Sequence, residues 1–267
     1  MNIAYSWQRV SALVLRHLYL LRNSWLRCFE LLYWPTLNIM VWGFLSQFFT
    51  THSSWLSQSI GLLLGAVLLW EVVIRSQFGV YMSFFEEMWS RNFANLFVTP
   101  LHPGEYVASM VIMSILRTFL SVTPAVLVTI WLYHYNIFTM GPPLLLFFVN
   151  LLMIGWWMGL LIGGLLVNFG SAAESVAWMS MFILSPIAGI YYPISTLPEW
   201  IQPLAWAFPT AYVFEGMREL LQQGHLNISY MGKAFGLNIS YLIISMAVFL
   251  AAFARARRTG KLIQMGE

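Results

Sequence analysis

The stretch "PLLLFFVNLLMIGWWMGLLIGGLLVN", residues 143–168, contains no charged residue. As a helix it would be about 39 Å long at 1.5 Å per residue, enough to cross a hydrocarbon core of about 30 Å. Five more apolar runs have comparable length, at about 30–50, 58–81, 106–134, 175–193 and 234–254. The whole chain of 267 residues is 60% hydrophobic and 9% charged, against about 25% charged for a soluble domain. Backbone groups in hydrocarbon must bond within their own segment. The expectation is an all-α integral membrane protein, one domain over 1–267, with six transmembrane helices.

The charges orient it. Nine of the thirteen Lys and Arg lie in the first 27 residues, at Arg91 and in the tail "RARRTGK". That is the pattern of cytoplasmic flanks, so both termini are expected inside a bacterial-type inner (plasma) membrane. A pI near 9.1 therefore reflects membrane flanks and not a nucleic-acid partner. The first apolar run has no small-residue cleavage site, and a removable leader is not expected. No internal repeat is evident.

Residues 1–28 read as an interfacial amphipathic helix. Arg9, Arg16, Asn23 and Arg27 share one face; Trp7, Val14, Leu18, Leu21, Trp25 and Phe29 share the other. Arg22 lies on the wrong side and must snorkel or find a partner. The alternative is a ragged start to the first span.

Catalytic signals are sparse. Asp is absent, Cys28 is the single cysteine, and the five histidines show no metal-ligand spacing. No catalytic residue, metal site or cofactor is expected in this chain. Ser171 in "GSAAES" suits a helix cap with Glu174 three residues on, better than a nucleophile. No GxxxxGK[ST] phosphate loop occurs, so any ATP and Mg must be bound by another subunit.

Three charges fall inside spans. Glu71 and Arg75 are spaced i, i+4, and Arg117 is expected at a similar depth in the next span. An unpaired charge there costs at least about 2.5–3.5 kcal/mol. A Glu71–Arg117 or a Glu71–Arg75 pair answers that cost, as packing or as part of a wet pathway. Gly155, Gly159 and Gly163 recur every four residues, as do Gly61 and Gly65. Such faces allow close helix approach, within one subunit or at a seam between two copies.

Two connecting pieces are unusual. Residues 84–98 suit a short cytoplasmic helix in which Met88, Trp89, Phe93, Leu96 and Phe97 interleave with Glu86, Glu87, Arg91 and Asn92. That surface suits a docking partner. Residues 194–222 are aromatic and broken by prolines. They read as two short helices, about 198–206 and 209–222, in a re-entrant segment bordering the outer leaflet. Pro198 and Pro209 start them, Trp200, Trp206 and Tyr212 anchor them, and Glu215 pairs with Arg218. A plain extracellular cap is the alternative.

The pieces "NLFVTPLHPGEYVASMVIMSILRTF" (95–119) and "SPIAGIYYPISTLPEWIQPLAWAFPTAYVFEGMREL" (185–220) resemble permease subunits of the type-2 ATP-binding-cassette exporters. The second matches that family's pattern at Pro193, Leu197, Pro198, Pro203, Pro209, Thr210, Tyr212, Glu215 and Arg218. The resemblance covers essentially the whole chain. It implies a half-transporter whose two copies enclose a pathway for a polysaccharide, lipid-linked or hydrophobic substrate, with two ATP-binding subunits below. It also implies that 84–98 is the coupling helix, contacting the ATPase through Glu86, Glu87, Met88, Trp89, Arg91, Asn92 and Phe93. The outer gate would be the segment holding Pro198, Trp200, Pro203, Trp206, Pro209, Tyr212, Glu215 and Arg218.

Two other classes compete. A secondary transporter or channel needs no ATPase, but it leaves the elaborate 84–104 loop unexplained. An intramembrane lipid- or glycan-modifying enzyme lacks paired acid and base residues. The aromatic content suits stacking on sugar rings and, equally, interface belts. The sequons at Asn227 and Asn238 carry no weight.

Overall fold

The computed structural model describes residues 3–52, 60–90, 92, 99, 101–170 and 174–259. They are helical, with no strand among the described residues. In order come α1 (Ile3–Arg22), α2 (Trp25–His52), α3 (Ile60–Trp89), α4 (Pro103–Tyr133), α5 (Pro143–Phe169), α6 (Glu174–Leu184), α7 (Gln202–Trp206), α8 (Pro209–Gln223) and α9 (Ile228–Thr259). Short 3-10 turns cover Ile137–Met140 and Ile194–Thr196.

Among the described residues, four helices are long and apolar enough to cross a membrane: α3, α4, α5 and α9. The α2 helix has the length, 28 residues, but Glu30, Asn38, Ser46 and Gln47 dilute its apolar character. The run expected as a span at 175–193 is helical only to Leu184. Pro186 explains the stop, because a proline disfavours helical geometry in the residue before it and offers no N–H. Beyond it the chain turns, with Gly189 at φ 76. The N-terminal helix likewise ends at Arg22, so Asn23 and Arg27 do not share it.

Contacts fix helix directions. Ser76 meets Gly155 while Val80 meets Gly159, so α3 and α5 run parallel. Asn238 bonds Asn150, and Phe249 lies against Gly163 and Gly164, so α9 runs with them. Ser114 donates to the Ser76 carbonyl (2.7 Å) and Tyr106 meets Phe84, so α4 runs against α3. Ser121 reaches the Leu31 carbonyl and Tyr133 that of Met40, so α2 runs with α4. The C-terminal ends of α3, α5 and α9 thus share one end of the bundle with α1, called the base here. Both ends of the described chain lie there.

The core sits around α3, whose Leu64, Val73, Tyr81, Phe84 and Phe85 are buried. A Cβ on Gly159 would stand 2.7 Å from the Val80 Cβ, and one on Gly155 would overlap Ser76 and stand 2.6 Å from the Gln77 amide. Backbone therefore meets backbone along the α3–α5 seam. Gly163 faces Phe249 of α9. The glycine row is packing within one subunit, as one of the two sequence-based readings held, and these three positions are already covered.

Gly155→Ala is expected to destabilise the fold by about 1–3 kcal/mol through overpacking. Gly232→Ala, where an added methyl meets nothing, is expected to be neutral or stabilising by up to about 1 kcal/mol. Thermal unfolding in detergent distinguishes the two.

Candidate functional site

At the base, two consecutive carboxylates from the last turn of α3 are buried. Glu86 is 8% exposed and Glu87 is 0%. Such groups cost several kcal/mol each unless paired and hydrogen-bonded. Arg117 of α4 meets that need from above, its Nη2 donating to both oxygens of Glu86 at 2.8 and 3.0 Å. His17, fully buried, stands between the two acids: Nδ1 is 3.1 Å from Glu86 and Nε2 is 3.7 Å from Glu87. Arg16 donates to Glu87 at 3.0 Å and Arg27 to Glu86 at 3.3 Å. Asn92 closes the cluster with a 2.8 Å bond to Glu87.

A second clasp lies beside it. Glu105 caps the start of α4, accepting from the His102 backbone at 3.0 Å, and holds Arg9 at 3.2 Å. Arg9, Arg16 and His17 all come from α1. Its buried row Val10, Leu13, Val14, His17 and Leu21 packs inward, while Trp7 and Tyr19 stay exposed. The amphipathic helix is thus riveted to the ends of α3 and α4 by charge as well as by apolar contact.

The separate helix expected over 84–98 is not formed at its start. Residues 84–89 continue α3 without a break, because nothing between Gly79 and Trp89 interrupts the helix. Ser83 bonds back to the Gly79 carbonyl within it. Glu86, Glu87 and Met88 are buried, whereas Trp89 is 58% exposed. Arg91 and Phe93, with 94–98, lie outside the described residues, as does Ser171. The Glu71–Arg117 pair does not form. Glu71 instead takes Arg75 at 3.1 Å and Asn38 at 2.7 Å, the i, i+4 alternative, and Arg117 reaches Glu86. His17 and Glu105 were missed as cluster members. The one local signal for His17 is its place in the buried row, four residues from Leu13 and four from Leu21.

At the opposite end, the proline-broken segment packs as a unit. Pro198 opens a turn, Ile201 N–H bonding its carbonyl at 2.9 Å, and α7 proper begins at Gln202 with Pro203 in its first turn. Pro209 opens α8. Trp206, Tyr212 and Tyr230 gather, with ring centroids 4.8 to 5.9 Å apart, and Trp200 is 79% exposed. Arg218 pairs with Glu215 at 3.2 Å. Its Nη2 also donates to the carbonyls of Gly189, Ile190 (3.1 Å) and Tyr192 (3.0 Å). Glu215 accepts from the Ile194 amide at 2.6 Å. The pair therefore stitches the turn after α6 onto α8. Burial pulls the Arg218 guanidinium pKa below its ordinary value, and the Glu215 carboxylate opposes that pull.

Arg117→Ala is expected to cost about 3–5 kcal/mol, since it takes the nearest and most buried guanidinium from a buried carboxylate. Arg27→Ala, at the solvent-accessible rim, is expected to cost about 0–1 kcal/mol. Unfolding of the two variants in parallel checks the ranking. Arg218→Lys removes the planar fork that spans the carbonyls, and a cysteine placed at Tyr192 is expected to label faster in that background.

No curated protein matches the sequence. The family model for the ABC-2 type transporter matches residues 19–221, from within α1 to the last turn of α8. The match takes in most of the basal cluster and all but the last residues of the proline-broken unit, and it covers well over half the chain. The chain belongs to the ABC-2 type transporter family, as a permease subunit of a type-2 ATP-binding-cassette transporter.

Proposed function

We propose that the chain is the membrane-spanning half of an ATP-driven exporter for a polysaccharide, lipid-linked or hydrophobic substrate. Two copies enclose the pathway, and two ATP-binding subunits, which hold the ATP and Mg, dock at the base. In this reading α2 and the segment from α6 to residue 192 join the four apolar helices to make six crossings. The base faces the cytoplasm at a bacterial-type inner membrane, with both termini on that side. The basic flanks of α1 and of the tail support this orientation.

The observation that carries the proposal is the basal cluster. Segment 90–102 leaves α3 beside Glu86 and Glu87 and enters α4 beside Glu105, so a push on it reaches α1, α3 and α4 together. Closure of the ATP-binding subunits would then rock a tied body of three helices rather than bend one loop. Trp89, Arg91, Asn92 and Phe93 are the docking contacts in this scheme. Glu86 and Glu87 serve from behind, as the anchor.

At the other end the α7–α8 unit is the outer gate, re-entering the outer leaflet with Trp200 and Trp206 at the interface. The wide exposure of Trp200 and the fourfold capture of 189–194 by Glu215 and Arg218 support it.

Trp89→Asp combined with Phe93→Asp is expected to abolish co-purification of the ATP-binding subunit while leaving the permease folded; unchanged co-purification rejects the docking role. Met88 is left intact because it is buried. Cysteines placed at Trp200 and Leu204 in a Cys28→Ser background are expected to resist a bulky membrane-impermeant maleimide. Free labelling rejects the re-entrant placement.

A further inference from the structure

Of the five longest helices among the described residues, two carry an interior proline. Pro35 lies inside α2 and Pro124 inside α4, whereas α3 and α9 contain none and α5 has proline only at its first position. An interior proline offers no N–H to the carbonyl four residues earlier, and the helix bends there. The carbonyls so released are those of Leu31 in α2 and Leu120 in α4. Ser121 of α4 donates its hydroxyl to the Leu31 carbonyl, the repair that a freed backbone group needs in a bilayer. Beside each proline a threonine turns back on its own helix. Thr36 donates to the Leu32 carbonyl at 2.7 Å and Thr123 to that of Phe119 at 2.6 Å, bonds that bend a helix further.

The two weak points lie side by side. Ser121 meets Leu31, and the Tyr133 ring lies where a Cβ on Gly43 would stand; in each contact the partners are ninety residues apart. That register sets Pro35 beside Ala125, so the two prolines share a level to within about 1.5 Å. Below this level Arg27 and Arg117 fasten both helices to Glu86. Above it the Tyr133 hydroxyl donates to the Met40 carbonyl at 2.9 Å, tying the two outer halves to each other. The frame behind them is of another kind. Gly155 and Gly159 bring α5 against α3, and Phe249 of α9 closes on Gly163. The outer half of α4 is not sealed to that frame. A cleft of about 440 Å³ lies among Val126 and Leu127 of α4, Leu68 and Leu69 of α3, and Leu145 and Phe148 of α5. No charged residue lines it, so no ion pair resists its narrowing or widening.

We propose that Pro35 and Pro124 form a paired hinge. On it the outer halves of α2 and α4 swing as one body against the α3–α5–α9 frame, and the cleft narrows and widens as they do. The bends lie above the Glu86 cluster, so the tied base keeps its contacts while the outer halves move. The proposal rests on the transporter reading for what drives the swing and not for the swing itself.

Distances between spin labels on the full-length chain in lipid nanodiscs test it, with labelled copies diluted into unlabelled ones so that each distance is read within one copy. In a Cys28→Ser background the outer pair is Trp131→Cys on α4 with Ile228→Cys at the start of α9, both widely exposed positions. The basal pair is Trp25→Cys with Ala254→Cys, exposed at the other end. The expected result is a broad or two-peaked outer distance and a single narrow basal one. Pro35→Ala combined with Pro124→Ala is expected to reduce the outer distance to one narrow peak. The melting temperature is expected to rise by about 2–4 °C at the same time, because each alanine restores a helix bond. Leu145→Trp, which fills the cleft and leaves both prolines in place, is expected to narrow the outer distance too. A narrow outer distance in the unaltered helices, equal breadth at the base, or unaltered breadth in both variants overturns the proposal. So does lowered melting of the proline variant with its outer distance unchanged, the outcome of a merely structural role. Adding the ATP-binding subunit with ATP to the same samples reports on the transporter reading separately. A shifted outer distance supports ATP as the drive; no shift, with the proline dependence intact, rejects that drive and leaves the hinge standing.

Discussion

Two acids that cannot be left alone organise this molecule. Glu86 and Glu87 are buried side by side, and in a medium of low polarity neither survives ionised without cations at hydrogen-bond distance. The partners come from three other places in the chain: the guanidinium groups of Arg16 on α1, Arg27 on α2 and Arg117 on α4, with the His17 ring of α1 between the two acids. The position of α1 and the depth of α4 are therefore set by the same pair of side chains. Apolar packing brings the helices together, and the carboxylates select the arrangement.

The two ends of the bundle solve a backbone problem in different ways. At the base the chain leaves α3 only after the acids are neutralised. At the other end the chain abandons helix at Leu184, and the freed carbonyls of Gly189, Ile190 and Tyr192 need donors. One guanidinium supplies them, held by Glu215 from the same helix face. Between the ends, Ser114 to Ser76, Gln77 to α6, and Asn238 to Asn150 cross-link neighbouring helices at buried positions. Asn238 is thus occupied inside the bundle, and its sequon has no structural meaning.

What could be read from the sequence was mostly local. The helices α3, α4, α5 and α9 follow from long uncharged runs, and the Glu71–Arg75 and Glu215–Arg218 pairs from spacing of four and three. Pro209 announced α8, and the four-residue glycine rhythm announced a close seam, though not that α3 was its partner. The end of α6 was visible in Pro186, but counting apolar residues through 193 overrode it. The Glu86 cluster was hidden because it joins positions 31 and 69 residues away. No periodicity encodes such a contact, and Arg117 reaches Glu86 only because the long arginine side chain runs toward the base, past the depth of its own backbone. The continuation of α3 to Trp89 is local, since nothing between Gly79 and Trp89 interrupts the helix; what lay out of sight were the distant partners of its acids.

The parallel course of α3, α5 and α9 has an electrical consequence. Each helix carries roughly half a negative charge at its C-terminus, and the three ends lie together at the base. Glu86 and Glu87 add to that field from within α3, at the end where acids are least welcome. Arg257 and Arg258 in the last turn of α9, with the arginines of α1, stand where they offset it. The basic residues gathered at the base thus also neutralise the backbone of the bundle itself. Stripping them would loosen the base.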